Sequence, residues 1–267
     1  MMGQGRWALV TGASAGIGAE FARVFAENGF SVVLTARRED RLATLARELE
    51  ERHRVKTQVI AENLADPQAP VRLFDAVRQR GIDIDALVNN AGFGARQSFR
   101  ETPWADHAAF LQVLVTAVVH LTHLFEPGMV QRRWGRIINV ASVAGLLPGA
   151  PGRTLYGPAK AFLIKFSEAL ALEHGRDGVH VTALCPGFTY SEFHDVVGNR
   201  KQVSRLPKLL WMDAETVARQ GFDAVMRGDP VYVNGLANRA ITMLTRLAPQ
   251  RAAHRLIRRE ARRLSPE

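Results

Sequence analysis

Short apolar runs and helix-period stretches alternate along most of this chain. Trp7-Ala8-Leu9-Val10 gives way to the glycine-rich Thr11-Gly12-Ala13-Ser14-Ala15-Gly16-Ile17-Gly18, and residues 20–26 then read as a helix that Asn28-Gly29 ends. Further apolar runs at 31–36, 55–61, 84–88, 136–140 and 180–184 read as buried strands. Helical segments are expected over 40–52, 68–80, 103–131 and 154–174, between those runs. Strands alternating with helices predict a single doubly wound α/β domain, its mainly parallel sheet covered by helices on both faces. The domain is expected to occupy residues 1–237, with a long irregular stretch at 188–212 and a separate tail at 238–267.

Strand, glycine turn and helix in that order make a site for an anion. The first amides of a helix have no partner within it and carry partial positive charge, which suits a phosphate. Glycine lets the backbone turn sharply and lets a ligand approach it closely. Residues 31–36 end in Ala36-Arg37-Arg38, where a dinucleotide site for NAD(H) places an acidic group on the ribose 2′-hydroxyl. Arginines there suit a 2′-phosphate, so NADP(H) is the expected cofactor rather than NAD(H); plain solvated charge is the alternative. Other strand ends carry Asn63-Leu64, Asn89-Asn90-Ala91-Gly92, Ala141-Ser142 and Pro186-Gly187. In a parallel sheet all of these converge on one rim.

Composition narrows the setting. A chain of 267 residues with one cysteine, Cys185, excludes an internal disulfide framework and fits a reducing compartment. No signal peptide and no uninterrupted apolar run of about 20 residues is read from the sequence, and a cytoplasmic location is expected. The net charge is +9, but eight arginines against two glutamates lie between Asn238 and Glu267. The basic excess therefore belongs largely to the tail, and no nucleic-acid-binding signature accompanies it.

Tyr156 and Lys160 stand four apart on an expected helix and share a face. A free phenol, with a pKa near 10, exchanges protons poorly at neutral pH, and a nearby ammonium favours its ionised form. Ser142 at a strand end can donate a hydrogen bond to an oxygen gaining negative charge. Thr11-Gly-x-x-x-Gly16-x-Gly18, Asn89-Asn90-Ala91-Gly92, Ser142, Tyr156-Gly157-Pro158-Ala159-Lys160 and Pro186-Gly187 together resemble the short-chain dehydrogenases/reductases, over about residues 6–235. The resemblance implies a Rossmann-like fold, Tyr156 as acid/base, Lys160 on the nicotinamide ribose, and Ser142 orienting the substrate oxygen. It also implies that Gly12, Ser14, Gly16, Ile17, Gly18, Leu64, Asn90, Ala91, Gly92, Pro186, Gly187, Thr189 and Ser191 line the cofactor. Two positions depart from the family. Asn63 stands where an acidic residue usually meets the adenine amino group; its side-chain oxygen can accept the same bond. Leu114 stands where the family has an asparagine that helps hold a water on the lysine proton path, and leucine cannot hold one.

His120 and His123 are three apart but lack a third ligand at useful spacing, so no metal is expected. Phe93, Leu147, Phe188 and Trp211 are candidates for an apolar substrate surface, with core or subunit contact as the alternative. Beyond Pro249 an apolar stripe flanked by arginines reads as a basic amphipathic helix. Packing on protein is preferred to binding at an anionic membrane surface. The expected function is hydride transfer between NADP(H) and a carbonyl or alcohol carbon of a small molecule, in a homodimer or homotetramer. A cofactor-binding sensor with little turnover, and a peripheral membrane reductase of lipid-like carbonyls, are the alternatives.

Overall fold

In the computed structural model, which describes residues 3–94, 98–149, 154–192 and 207–247, seven parallel strands form one sheet. They are β1 (Trp7–Thr11), β2 (Ser31–Thr35), β3 (Thr57–Val59), β4 (Ile84–Asn89), β5 (Gly135–Val140), β6 (Val179–Cys185) and β9 (Val231–Val233), in the order β3-β2-β1-β4-β5-β6-β9. Between them run α1 (Gly16–Glu27), α2 (Glu39–His53), α3 (Ala69–Gln79), α4 (Trp104–Leu111), α5 (Ala117–Gln131) and α6 (Tyr156–Glu173). After β6 come β7 (Phe188–Tyr190) and β8 (Trp211–Asp213), paired parallel to each other, then α7 (Ala214–Arg227) and, after β9, α8 (Leu236–Leu247).

The period of two along each strand sorts its side chains onto opposite faces. Ala8, Val10, Val32, Leu34, Ala86 and Val88 face α1, α2 and α7, where Phe25 meets Phe30 and Phe222 edge-on at 5.1 Å each. Leu9, Val33, Leu87 and Ile137 face α3, α4 and α5. Helix α2 buries Leu42, Leu45, Ala46 and Leu49, the spacing of one helical face, and opens with Glu39 and Asp40 where the dipole favours acids.

Several features depart from the expected layout, among them the edge strand β9, which was not anticipated, and the π-helical turn Gln112–Thr116 that divides the helix expected over 103–131. The stretch 188–212 was expected to be irregular; it contains both β7 and β8, and residues 193–206 lie outside the described residues. Helix α7 was not anticipated, although Asp213 caps it by accepting from Thr216 N–H at 2.6 Å. Helix α8 begins at Leu236, two residues before the expected start of the tail, and Asn238 within it is buried. The expected helix beyond Pro249 lies outside the described residues. Residues Trp104–Gln131 are long and apolar enough to cross a membrane by length and composition. Their inward side chains, Phe110, Leu114, Leu121 and Phe125, are buried against the sheet as those of a core helix are.

Candidate functional site

Strand order reverses at β1 and β4, whose chains leave in opposite directions across the sheet, and a crevice at their carboxyl ends is where such sheets bind ligands. One hydroxyl joins the two ends. Thr11 Oγ1 accepts from the N–H groups of Asn90 (2.9 Å) and Ala91 (3.0 Å) and donates to Val88 O at 3.2 Å. Asn90 answers by donating from Nδ2 to the main-chain oxygens of Thr11 (2.9 Å) and Gly12 (3.3 Å). Its side chain thus fixes the glycine turn. Gly12 has φ +68°, and a Cβ there would lie 2.8 Å from Asn90 Nδ2 and 2.9 Å from Ala91 Cα. A Cβ on Gly18 would lie 2.3 Å from Gly12 O, so the turn closes directly onto the first coil of α1. Ala15 gives that helix no side-chain cap and no acid occupies its first turn, which leaves its amides for an external anion.

Beside the turn stands a cluster of opposite charges. Arg38, at the start of α2, donates to Ser14 Oγ from Nε (3.2 Å) and Nη2 (3.0 Å), and from Nη1 to Glu192 Oε2 at 2.9 Å. Arg41, in the first turn of α2, donates from Nη1 to the other carboxylate oxygen at 2.6 Å. These guanidiniums hold the Glu192 carboxyl below its usual range, Arg41 more than Arg38. Arg37 is exposed and makes none of these bonds. An open groove of about 590 Å³ adjoins the cluster, lined in part by Ser14, Gly16, Tyr190 and Ser191; Ser142, Tyr156 and Lys160 do not line it.

At the ends of β5 and β6 the chemistry changes. Ser142 caps a single 3-10 turn, Val143–Gly145: its Oγ accepts from Ala144 N–H at 3.1 Å and donates to Pro186 O at 3.5 Å. Lys160, buried at 5% exposure, donates from Nζ to Val140 O at 2.7 Å, and Nζ lies 5.7 Å from the centre of the Tyr156 ring. Burial lowers its pKa to about 8, because the charged form has lost its water. Cys185 lies nearby, wholly buried, and burial pushes its thiol up to about 12 against the opposing pull of Lys160. Gly145 lets the turn seat on α6: a Cβ there would lie 2.6 Å from the carbonyl carbon of Lys160 and 2.7 Å from Ala161 N.

Below this site runs a buried polar chain. Asn89 donates to Asn139 Oδ1 (2.9 Å) and Thr122 Oγ1 (3.2 Å), and Asn139 donates to Ser167 Oγ (2.9 Å). It ties β4, β5, α5 and α6 together just behind Val140.

The remaining expected residues are placed as follows. Asn63 Oδ1 accepts from Ala65 N–H at 3.2 Å, and a carbonyl oxygen keeps a second lone pair. Leu64 is buried and Ile17 packs on the core. A Cβ on Gly187 would lie 2.3 Å from Asn238 Nδ2, and Thr189 is buried. Ser191 lies over the turn, its Cβ 3.0 Å from where a Cβ on Gly16 would sit. Trp211 is 5.5 Å from Phe188 and stacks on Tyr190 at 4.8 Å, so these three rings come together. Phe93 instead meets Phe110 edge-on at 5.5 Å, and Leu147 is half-buried after the serine turn. Leu114, 1% exposed, sits in a π-helical turn, Gln112–Thr116, inserted between α4 and α5.

Arg41, Glu192, Gly145 and the Asn89–Asn139 chain are absent from the expected site. Of these only Asn89 stood in a motif read from the sequence; the roles of all of them depend on contacts between segments distant in sequence.

Known proteins share this fold. The family described as short chain dehydrogenase matches residues 6–202. A very-long-chain 3-oxoacyl-CoA reductase of Laccaria bicolor is 38% identical over 209 residues, which are 77% of this chain and 60% of that protein. Sulfoacetaldehyde reductase 2 of Chromohalobacter salexigens is 37% identical over 187 residues, 69% of this chain and 73% of that one. Among solved structures, a short-chain dehydrogenase from Sphingobium yanoikuyae in complex with NADPH superposes with a TM-score of 0.80 at 29% identity, covering 92% of this chain and 96% of that one. Family model, relative and solved structure agree, and the chain belongs to the short-chain dehydrogenase family.

Proposed function

We propose that this protein is an NADP(H)-dependent oxidoreductase that interconverts a carbonyl and a hydroxyl carbon on an apolar small molecule. The observation that carries the reading is the buried Lys160 ammonium beneath the Tyr156 ring, hung from the end of the strand that presents Ser142. Bound NADP(H) supplies or accepts the hydride. The residues present suit such a group: the uncapped α1 terminus and Gly12 for the pyrophosphate, and Arg38 for the 2′-phosphate. Glu192 already shows that an anion is held beside Arg38.

Tyr156 gives a proton to the substrate oxygen in reduction and takes one in oxidation. Lowering a phenol from about 10 to about 7 needs roughly 4 kcal/mol of preference for the ionised form. Lys160 contributes part of this, because a charge acts strongly where water is excluded. Ser142 Oγ turns from Pro186 O, a bond of only 3.5 Å, to donate to the substrate oxygen as its negative charge grows. The cluster of Phe188, Tyr190 and Trp211 supports an apolar substrate. The long-chain substrate in the name of the Laccaria bicolor relative agrees with that.

The test is turnover of NADPH with aldehydes and ketones of increasing apolar length, on the wild type and on Tyr156→Phe. The variant should bind NADPH as the parent does and turn over about 10²–10⁴ times more slowly. Undiminished turnover by Tyr156→Phe would remove the proposed role of the tyrosine. Tight NADPH binding with no substrate reduced would favour a sensor.

A further inference from the structure

We infer that Glu192 is an internal stand-in for the cofactor 2′-phosphate, held by Arg38 and Arg41 until that phosphate displaces it, with Arg41 as the second arm of the clamp. The inference rests on the NADP(H) reading and adds to it a competitor and a residue, Arg41, that the sequence pattern did not single out.

Two guanidiniums three residues apart, from the N-cap and the first turn of α2, bond different oxygens of one carboxylate at 2.9 and 2.6 Å. That is the arrangement two arginines adopt around a phosphate monoester, which offers one more oxygen and more charge than a carboxylate. Arg38 also grips Ser14 Oγ within the glycine turn, so the clamp is oriented toward the place where a dinucleotide would lie. Glu192 comes from 151 residues beyond Arg41 in sequence, so local helix pairing does not account for the contact.

The energetics suit a displaceable plug. Arg38, Arg41 and Glu192 expose 42%, 45% and 46% of their side chains, so water screens both ion pairs and keeps them weak. A doubly charged phosphate outcompetes one carboxylate for the same donors. A dinucleotide with a free 2′-hydroxyl brings nothing that does so, and Glu192 remains in place. Displacement also releases the backbone beside it. Ser191 lies over Gly16, and Tyr190, two residues before Glu192, stacks on Trp211. The occupant of the clamp therefore bears on the aromatic cluster assigned above to the substrate.

The experiment uses two small probes, 2′,5′-ADP and 5′-AMP, titrated calorimetrically into the full-length chain. The ratio of their affinities isolates the 2′-phosphate. In the wild type 2′,5′-ADP should bind at least tenfold more tightly. Glu192→Gln should widen that ratio by roughly three- to tenfold, the range two exposed ion pairs supply. Arg41→Ala should narrow it, and by at least threefold more in the Glu192→Gln background, because in the wild type the same substitution also frees the plug. A ratio that Glu192→Gln leaves unchanged or narrows overturns the stand-in. Narrowing by Arg37→Ala but not by Arg41→Ala overturns the second arm. A wild-type ratio near one overturns the 2′-phosphate reading itself, which separates failure of the cofactor assignment from failure of this inference.

Discussion

Lys160 donates from Nζ to the main-chain oxygen of Val140 at 2.7 Å, so the amine is anchored to the strand end immediately before Ala141 and Ser142. The bond holds the charge where water does not reach, and the lysine pKa falls from its ordinary 10.5 to about 8. The ammonium is therefore present below about pH 8 and lost above it. Carbonyl reduction, measured as kcat/KM, should decline above that pH along a single-proton limb. A profile flat to pH 10 would contradict the assigned role of the charge.

The same shift has a stability consequence of definite sign. The unfolded chain keeps this proton until about pH 10.5 while the folded one releases it near 8, so stability should rise across that window. Below pH 8 the buried charge costs about 3 kcal/mol. Lys160→Met gives up the bond to Val140, yet it should still be more stable than the wild type at pH 7, by about 1–3 kcal/mol, and inactive. Urea unfolding at pH 7 and at pH 10 checks both statements.

Gly145→Ala should lower activity and stability together. The added Cβ meets main-chain atoms of Lys160 and Ala161 at 2.6 and 2.7 Å, and neither can swing aside as a side chain would. The serine turn must move relative to α6, and displacement on the scale of 1 Å costs roughly 10²-fold in rate. Steady-state turnover should fall by about that factor, and the melting temperature should fall as well, because main-chain atoms must shift to admit the Cβ.

Asn139→Ala should act on the fold. It strands one N–H of Asn89 and removes the donor to Ser167 in a region where Asn139 and Ser167 are both 0% exposed. Buried groups without partners cost about 1–3 kcal/mol each, so a loss of about 2–4 kcal/mol is expected in the urea midpoint.

The candidate site was legible wherever its logic is local. Strand, glycine turn and helix are neighbours in sequence, and Tyr156 and Lys160 are brought together by one turn of α6. Their chemistry could be read from spacing alone. Six of the seven strands of the sheet were legible for the same reason, each being a separate apolar run, whereas the three-residue edge strand β9 (Val231–Val233) is too short to stand out. What escaped was the product of tertiary meeting. Nothing around Arg41 or Glu192 distinguishes either from ordinary surface charge until α2 and the segment after β7 are placed together. Asn139 reads as one polar residue in an apolar strand until Asn89 and Ser167 are beside it. Helix α7 has a local signal in the capping Asp213, but that aspartate directly follows the apolar Leu209-Leu210-Trp211-Met212 and does not stand apart from it.

Leu114 is one of the two positions read in the sequence as departures from the family pattern, and the fold gives leucine a place there. Its side chain is buried among Phe110, Val113 and Leu121 on the α3 side of the core. The π turn around it takes local carbonyls out of the regular i→i+4 ladder. Leu114→Asn should therefore lower the melting temperature while its turnover matches or exceeds that of the parent. Slower turnover at unchanged NADPH affinity would show that leucine belongs to this site's working form.

Cys185 gives the site a chemical immunity. Carbonyl compounds, above all unsaturated ones, are electrophiles, and the sulfur nucleophile they attack is the thiolate. The chain has one sulfhydryl, at 0% exposure and with its proton held to about pH 12. It stands beside Lys160 yet offers no thiolate at neutral pH for an electrophilic carbonyl compound to alkylate.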